Sequence, residues 1–253
     1  MTSQVMPANF LTLPRELRDK IYELCLLRKE PISPGRRFCH NKLAPGLLGV
    51  NKTINYEARL VLYRNCFDFT SLYSENVSSF LETVGGNNAD CIQHIYIAFP
   101  SLCNLEPGKV TLGEYNTRIL ASIQSRCANL KTITTSRSSS NLMEFTLRTL
   151  DNPEVVSEAL TLVDTCFRAI SSLQNIIVEV YEDGWSDYVR RQIEHHGWTL
   201  SLATLLGGWG SDGSLEDDWD RSDAWEYQSN DDDHFNDDYD YEYDSDFWRR
   251  AAD

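Results

Sequence analysis

Apolar residues at the start of the chain repeat with helical spacing. Leu17, Ile21 and Leu24 fall at i, i+4 and i+7, so they share one face of a helix predicted over residues 10–27. Pro14 stands where the first turn of that helix begins, a position that tolerates a residue without an amide proton. The pattern therefore predicts a short amphipathic helix that opens the fold.

The following segment interrupts the helical pattern and then resumes it. Residues 29–45 contain three prolines and one glycine without an apolar period, which indicates a loop. Apolar residues at helical spacing then predict a second helix over residues 47–64. Residues 66–72 alternate as a short strand, with Phe67 and Phe69 on the same side.

Helices and short strands alternate from residue 73 to residue 206. Predicted strands begin at Ile92, Leu130, Leu173 and Trp198, and helical patterns lie between them. Strands separated by helices favour parallel pairing, whereas the unequal intervals argue against a strict repeat. The predicted fold class is therefore α+β to α/β, with an N-terminal helical unit followed by irregular βα units. These units form either a small α/β layer or an open arc like that of leucine-rich-repeat proteins.

Charge divides the chain into two parts. The whole chain has a formal net charge of −15, and residues 212–253 hold 17 acidic and 3 basic residues, so the rest is nearly neutral. We therefore predict a helical unit at 10–72, a βα region packed on it at 73–206, and a glycine hinge with a disordered acidic tail at 207–253. An acidic tail repels phosphate, which argues against a nucleic-acid partner.

Cysteine usage and the N-terminal sequence predict a compartment. Seven cysteines are scattered through the body without any C-x-x-C pair, a pattern typical of reduced thiols. The N-terminus lacks the pattern of a signal peptide, and no apolar run approaches the length of a transmembrane helix. The sequence therefore predicts an intracellular protein of the cytoplasm or nucleus that does not associate with membranes.

Two short motifs give the N-terminal unit a resemblance to a known family. Residues 10–22, FLTLPRELRDKIY, resemble the opening helix of an F-box. Glu-x-Arg triplets at residues 16–18 and 57–59 are similar to those that name the fungal two-EXR domain, an F-box-like family. The second triplet precedes a Leu-Tyr pair and an aromatic strand, as in that family. The resemblance covers roughly residues 10–100.

This resemblance implies a protein–protein interaction module rather than an enzyme. F-box proteins bind a Skp1-type adaptor through their N-terminal helical unit and present a protein substrate to a cullin ubiquitin ligase through their C-terminal repeats. An F-box has its middle helix where this chain has the loop at 29–45, which is a departure from the family pattern. The residues assigned to adaptor binding on this basis are Leu13, Pro14, Leu17, Ile21 and Leu24.

The two triplets also predict how the two helices are held together. Residues two apart on a helix point in different directions, so each glutamate is a poor partner for the arginine of its own triplet. Reciprocal pairing of Glu16 with Arg59 and of Glu57 with Arg18 would form a charged clasp between the helices. The alternative is that these four residues are independent, solvated charges.

The acidic tail interleaves aromatic and acidic residues, which supports a second functional hypothesis. Like charges keep such a segment solvated while its aromatic side chains stay available for contact. It would suit basic nuclear or ribosomal partners, with the body acting as a scaffold and no ubiquitin-ligase role. Two alternatives are a solubilising tail without a specific partner and a tail that folds back on Arg36 and Arg37. The aromatic residues assigned to tail interactions are Trp219, Trp225, Phe235, Tyr239, Tyr241, Tyr243 and Trp248.

No motif in the chain points to catalysis, a metal ion or a cofactor. The G-x-G-x-x-G pattern at residues 208–213 is followed by acidic residues instead of the helix N-terminus that a dinucleotide site needs. His195 and His196 have no cysteine or carboxylate at metal-ligand spacing, so we interpret them as the polar end of a helix. The chain is therefore predicted not to be an enzyme and to need no cofactor.

Overall fold

The structure is a computed structural model with a mixed α/β architecture built on one five-stranded parallel sheet. It describes residues 10–34, 43, 45–150, 152–181, 185–202 and 248–249. The α-helices of these residues are α1 (Arg15–Leu26), α2 (Lys52–Leu62), α3 (Ser74–Val84), α4 (Gly86–Ala89), α5 (Glu114–Arg126), α6 (Arg137–Thr149), α7 (Pro153–Arg168) and α8 (Asp187–His195). The strands are β1 (Cys66–Asp68), β2 (His94–Ile97), β3 (Leu102–Cys103), β4 (Thr111–Leu112), β5 (Thr132–Thr135), β6 (Asn175–Val180) and β7 (Thr199–Leu202).

The five parallel strands lie in the sheet in the same order as in the chain, β1-β2-β5-β6-β7. Right-handed connections between consecutive parallel strands bring their helices to the same face of a sheet. Burial of the strand residues agrees with this arrangement. Ile95, Ile133 and Ile176 form one row across the sheet and are buried, whereas Tyr96 and Glu179 on the other face stay partly exposed. The sheet therefore has one covered face and one open face.

The first strand joins the N-terminal helices to this sheet. β1 follows α2 directly and pairs with β2, so it belongs to the common sheet. Ile32 extends the sheet on the other side of β1, because its amide donates to the Cys66 carbonyl and its carbonyl accepts from the Asp68 amide, both at 2.8 Å. The predicted loop at 29–45 thus contributes a β-bridge to the edge of the sheet.

Side-chain caps account for where three of the helices begin. The Asn51 side chain accepts a hydrogen bond from the Ile54 amide at 2.9 Å at the start of α2. Asn152 accepts from the Glu154 amide at 3.0 Å at the start of α7, where Pro153 occupies the first turn. Ser186 accepts from the amide of the third residue of α8 at 3.2 Å. Each cap satisfies an amide that has no partner inside its helix.

A two-stranded hairpin and two helices, the short α4 and α6, lie outside the pattern predicted from the sequence. Strands β3 and β4 form an antiparallel hairpin between β2 and α5. Helix α6 follows β5 directly, and its inward face includes Ser140 and Glu144 besides Met143 and Leu147. The inward face carries only two large apolar residues, and Leu142 and Phe145 lie exposed elsewhere on α6, so the apolar residues alone do not mark the buried face.

The predicted compartment was based partly on reduced cysteines and on the lack of a transmembrane helix, and the described residues bear on both features. Their six cysteines are free thiols. None of the described helices combines the length and the apolar character needed to cross a membrane.

Candidate protein-interaction surfaces

Helix α1 has two apolar faces, and only one of them packs on the body. Tyr22 and Leu26 are fully buried. Leu17 and Leu24, which lie on the opposite side of the helix, are 52% and 85% exposed. With about 100° per residue, Leu17, Ile21 and Leu24 fall within about 60° of one another. We call these three residues the α1 stripe.

The remaining residues assigned to adaptor binding lie at the start of α1. Pro14 is exposed and forms the N-cap of the helix, and Leu13 is half-buried before it. Ile21, the middle residue of the α1 stripe, is half-buried as well. Of the five residues assigned to adaptor binding, Pro14, Leu17 and Leu24 are therefore exposed, and Leu13 and Ile21 are half-buried.

A cluster of ionic hydrogen bonds fixes the buried side of α1 to α2. The carboxylate of Glu57 on α2 is 6% exposed. Arg18 donates to it through Nε at 2.9 Å and Nη2 at 2.7 Å, and the Tyr22 hydroxyl donates at 2.9 Å. Arg15 adds an ion pair at 3.0 Å. The hydrogen bonds from Arg18 are the main cause that lowers the pKa of Glu57 to about 2.

Only one half of the predicted charged clasp is formed. Arg18 pairs with Glu57, as expected, but the Glu16–Arg59 pair is absent, so that part of the prediction is wrong. Glu16 is exposed and takes part in none of the ion pairs of the described residues. The reason is helical geometry, because Arg15, Arg18 and Tyr22 occupy the side of α1 that faces Glu57 and Glu16 points away from it. Arg59 lies over the Tyr56 ring, 5.1 Å from its centroid.

Two partners of Glu57, Arg15 and Tyr22, were not among the predicted site residues. Their signal in the sequence is spacing: Arg15, Arg18 and Tyr22 follow one another at i, i+3 and i+7, one side of a helix. A polar row on an amphipathic helix is also typical of a solvent-exposed face, so the spacing alone did not identify this side of α1 as the one that contacts Glu57.

The open face of the sheet carries a second cluster of polar side chains. His94 Nε2 lies 2.8 Å from the Thr134 hydroxyl on the neighbouring strand. The Tyr96 hydroxyl, on β2, donates across the intervening strand β5 to the Glu179 carboxylate on β6. Burial, followed by this hydrogen bond, raises the pKa of Tyr96, and burial lowers the pKa of His94. At neutral pH both groups are therefore uncharged and act as hydrogen-bonding groups.

Neither histidine nor cysteine chemistry distinguishes a catalytic or metal site in the described part of the chain. No group of three or more His, Cys, Asp or Glu side chains there could hold a metal ion. His196 packs against the Trp198 ring, with its Nδ1 3.8 Å from an Asp164 oxygen, and burial lowers its pKa. Burial also raises the pKa of Cys66 to about 12, so this thiol is unreactive at neutral pH. Cys39, His40 and residues 208–213 lie outside the described residues.

Trp248 is the one tail aromatic that the structure describes, and it is not available for contact. It is 2% exposed and packs against Tyr63, Phe67 and Phe80, with ring centroids 6.1, 5.7 and 5.1 Å away. The prediction of an accessible side chain is therefore wrong for this residue, because burial of a large apolar ring outweighs the solvation of its acidic neighbours. The other assigned tail residues, Trp219, Trp225, Phe235, Tyr239, Tyr241 and Tyr243, lie outside the described residues.

Comparisons of the chain with known protein families, with curated proteins and with solved structures found no match.

Proposed function

We propose that this chain is a protein–protein interaction module whose helix α1 binds an adaptor protein. The observation that carries the proposal is the exposure of Leu17 and Leu24 on a helix whose other side is fixed by Tyr22 and Leu26. Single exposed leucines are common on soluble proteins. Three apolar residues in one helical stripe, however, match the way a helix presents itself to a hydrophobic groove.

The resemblance of residues 10–100 to the F-box-like, two-EXR family supports a Skp1-type adaptor as the partner. In the segment where an F-box has its middle helix, the described residues include a β-bridge at Ile32 and a 3-10 turn at Pro45–Gly49. The adaptor would therefore contact mainly α1. A contact of that size is small, and we expect an affinity on the order of 1 μM.

The open face of the sheet supports a role in holding a protein substrate. Parallel strands with helices on one side leave an extended surface that repeat proteins use for binding. Here that surface presents His94, Tyr96 and Glu179, which are held in fixed positions by the Tyr96–Glu179 hydrogen bond and by the contact of His94 with the buried Thr134 hydroxyl. Fixed polar groups favour specific recognition because they lose little side-chain freedom on binding.

The experiment that tests this proposal is calorimetric titration of a purified Skp1-type adaptor into the full-length chain and into a variant with Leu17→Asp and Leu24→Asp. Both leucines are exposed, so aspartate at these positions does not bury a charge. We expect the variant to bind at least about 100-fold more weakly, because each lost apolar anchor costs about 2 kcal/mol. Leu142→Asp, at an exposed leucine on α6, is the matched control and should bind like the unchanged protein.

Two outcomes would contradict the adaptor proposal. One is absence of binding by the unchanged protein at micromolar concentration. The other is equal binding by the unchanged protein and the double variant when both show the same cooperative unfolding by circular dichroism.

A second candidate function is binding of basic partners by the acidic segment. Residues 203–247 hold 16 acidic residues and one arginine, so they account for the whole net charge of the chain. In the same titrations, a basic nuclear or ribosomal protein would bind in a strongly salt-dependent manner. Replacing Asp231, Asp232, Asp233, Asp237 and Asp238 with asparagine should weaken that binding and leave the adaptor unaffected. Substitution is preferable to deletion of the tail, because deletion would also remove the buried Trp248.

A further inference from the structure

A basic groove runs along the outer side of α2. It has a volume of about 490 Å³ and lies between the 3-10 turn at Pro45–Gly49 and the helix. The side chain of Asn55 donates to the Leu48 carbonyl at 2.9 Å and so fixes the turn to α2. The residues that line the groove are Leu48, Gly49, Asn51, Lys52, Asn55, Tyr56 and Arg59.

The groove combines positive charge with an aromatic surface. Lys52 is exposed and makes no salt bridge with any of the described residues. Arg59 lies over the ring of Tyr56, which is itself half exposed. Among the described residues that line the groove, none carries a carboxylate. Such a surface fits a ligand that carries both carboxylates and aromatic rings, since guanidinium and ammonium groups attract the first and stacking suits the second.

Trp248 lies near one end of helix α2, the helix that carries this groove. Its ring packs on Tyr63, the residue that follows α2. One side of α2 carries residues spaced at i, i+4, i+7 and i+11, namely Lys52, Tyr56, Arg59 and Tyr63. Tyr63 is fully buried and lies about one helical turn beyond Arg59, the last residue that lines the groove, so Trp248 is placed close to one end of the groove.

We propose that the acidic run at residues 237–246 of this chain occupies the α2 groove, with Trp248 as its anchor. This run contains six carboxylates interleaved with Tyr239, Tyr241 and Tyr243. The length fits as well. Lys52 and Tyr63 are about 16 Å apart along a helix, at 1.5 Å per residue. An extended chain covers that distance with about five residues, at about 3.3 Å each.

Tethering makes this contact favourable even when it is weak. A linked segment is held near its site at an effective concentration on the order of 1 mM. Attraction between the carboxylates and the two basic side chains is reduced by salt, because both surfaces are solvated. The proposal goes beyond adaptor binding and does not depend on it, since the α1 stripe is a separate surface.

Zero-length cross-linking of the full-length chain with a carbodiimide tests the proposal. This reagent joins a lysine amine to a carboxylate only where the two are in contact. In the monomer, mass spectrometry should find Lys52 joined to residues 237–246 about tenfold more often than Lys131, which corresponds to about 1.4 kcal/mol. Lys131 is the internal control, because it is exposed between α5 and β5, away from the groove. The excess at Lys52 should disappear in 1 M salt, where screening acts within about 3 Å.

Three results would overturn the proposal. Equal cross-linking at Lys52 and Lys131 would show that the acidic run has no preferred site. Cross-links found only in a dimer would place the run on a second copy of the chain. An unchanged Lys52 cross-link in a folded Trp248→Ala variant would show that Trp248 is not the anchor. If that variant does not fold, the salt dependence in the unchanged chain decides the question.

Discussion

Replacing Trp248 with alanine is expected to lower the free energy of unfolding by about 3–5 kcal/mol, the usual cost of removing a buried tryptophan or phenylalanine ring. The ring is 2% exposed and touches three aromatic residues from α2, β1 and α3 or their ends. β1 is the first strand in the order of the sheet, so Trp248 covers the part of the hydrophobic core that lies at the β1 end of the sheet. Loss of this cover is a large fraction of the total stability of a domain, which is about 5–15 kcal/mol.

The measurement is urea unfolding of the full-length chain followed by far-ultraviolet circular dichroism. Phe145→Ala is the matched control, because this aromatic residue lies exposed on α6 and its loss should change stability by no more than about 0.5 kcal/mol. The free energy of unfolding of a Trp248→Phe variant should lie between those of Trp248→Ala and Phe145→Ala, since phenylalanine keeps part of the buried ring surface. Equal stability of Trp248→Ala and Phe145→Ala would show that Trp248 does not belong to the core.

The second large effect is expected for Glu57→Gln. Glutamine keeps the shape of the side chain but removes the charge that accepts hydrogen bonds from Arg18 and Tyr22 and attracts Arg15. We expect the free energy of unfolding to fall by about 2 kcal/mol near neutral pH. This is within the usual cost when a buried hydrogen-bonding group loses its proper partner. Chemical unfolding at pH 7 measures this loss.

The same substitution should change how stability depends on pH. The pKa of Glu57 is lowered from an ordinary value of 4.5 to about 2 in the folded chain. Its stabilising contribution is therefore complete above about pH 4.5 and is lost as the pH falls towards 2, because the unfolded chain takes up the proton first. The difference in stability between the unchanged chain and the Glu57→Gln variant should accordingly shrink across that interval.

Glu16→Gln provides a matched control for the ionic cluster. Glu16 belongs to the other Glu-x-Arg triplet, but it is exposed and lies on the side of α1 away from Glu57. Its substitution should change stability by no more than about 0.5 kcal/mol at any pH. A loss at Glu16 as large as that at Glu57 would restore the reciprocal clasp and contradict the geometry described above.

Much of the fold could be predicted from local signals. Asn152 with Pro153 marks the start of α7, and Ser186 marks the start of α8, because a capping side chain and a proline act within one turn. The strands β2, β5, β6 and β7 correspond to the strands predicted to begin at Ile92, Leu130, Leu173 and Trp198, with helical patterns between them. Parallel pairing followed from those separations, as the sheet shows.

Features that depend on distant contacts were not predictable. Half of the inward face of α6 is polar and is buried through pairs such as Ser140 with Thr135 at 2.9 Å, so the apolar residues of this helix do not mark its buried face. The burial of Trp248 needs a partner surface more than 160 residues earlier in the sequence. For α1, the pattern of leucines identified an apolar face but not that the body packs on the other side, through Tyr22 and Leu26. Helical spacing of apolar residues shows that a helix has an apolar side, but only the tertiary structure shows which residues pack against that side.

The most direct test of the central claim is a methyl-resolved nuclear magnetic resonance titration of the full-length chain with a purified Skp1-type adaptor. Leucine methyl groups report contact residue by residue, and the α1 stripe offers two exposed ones, in Leu17 and Leu24. We predict that these signals shift or broaden on adaptor addition, while those of the exposed Leu142 and the buried Leu160 do not change. Shifts confined to residues outside α1, or no shifts at saturating adaptor, would contradict the account.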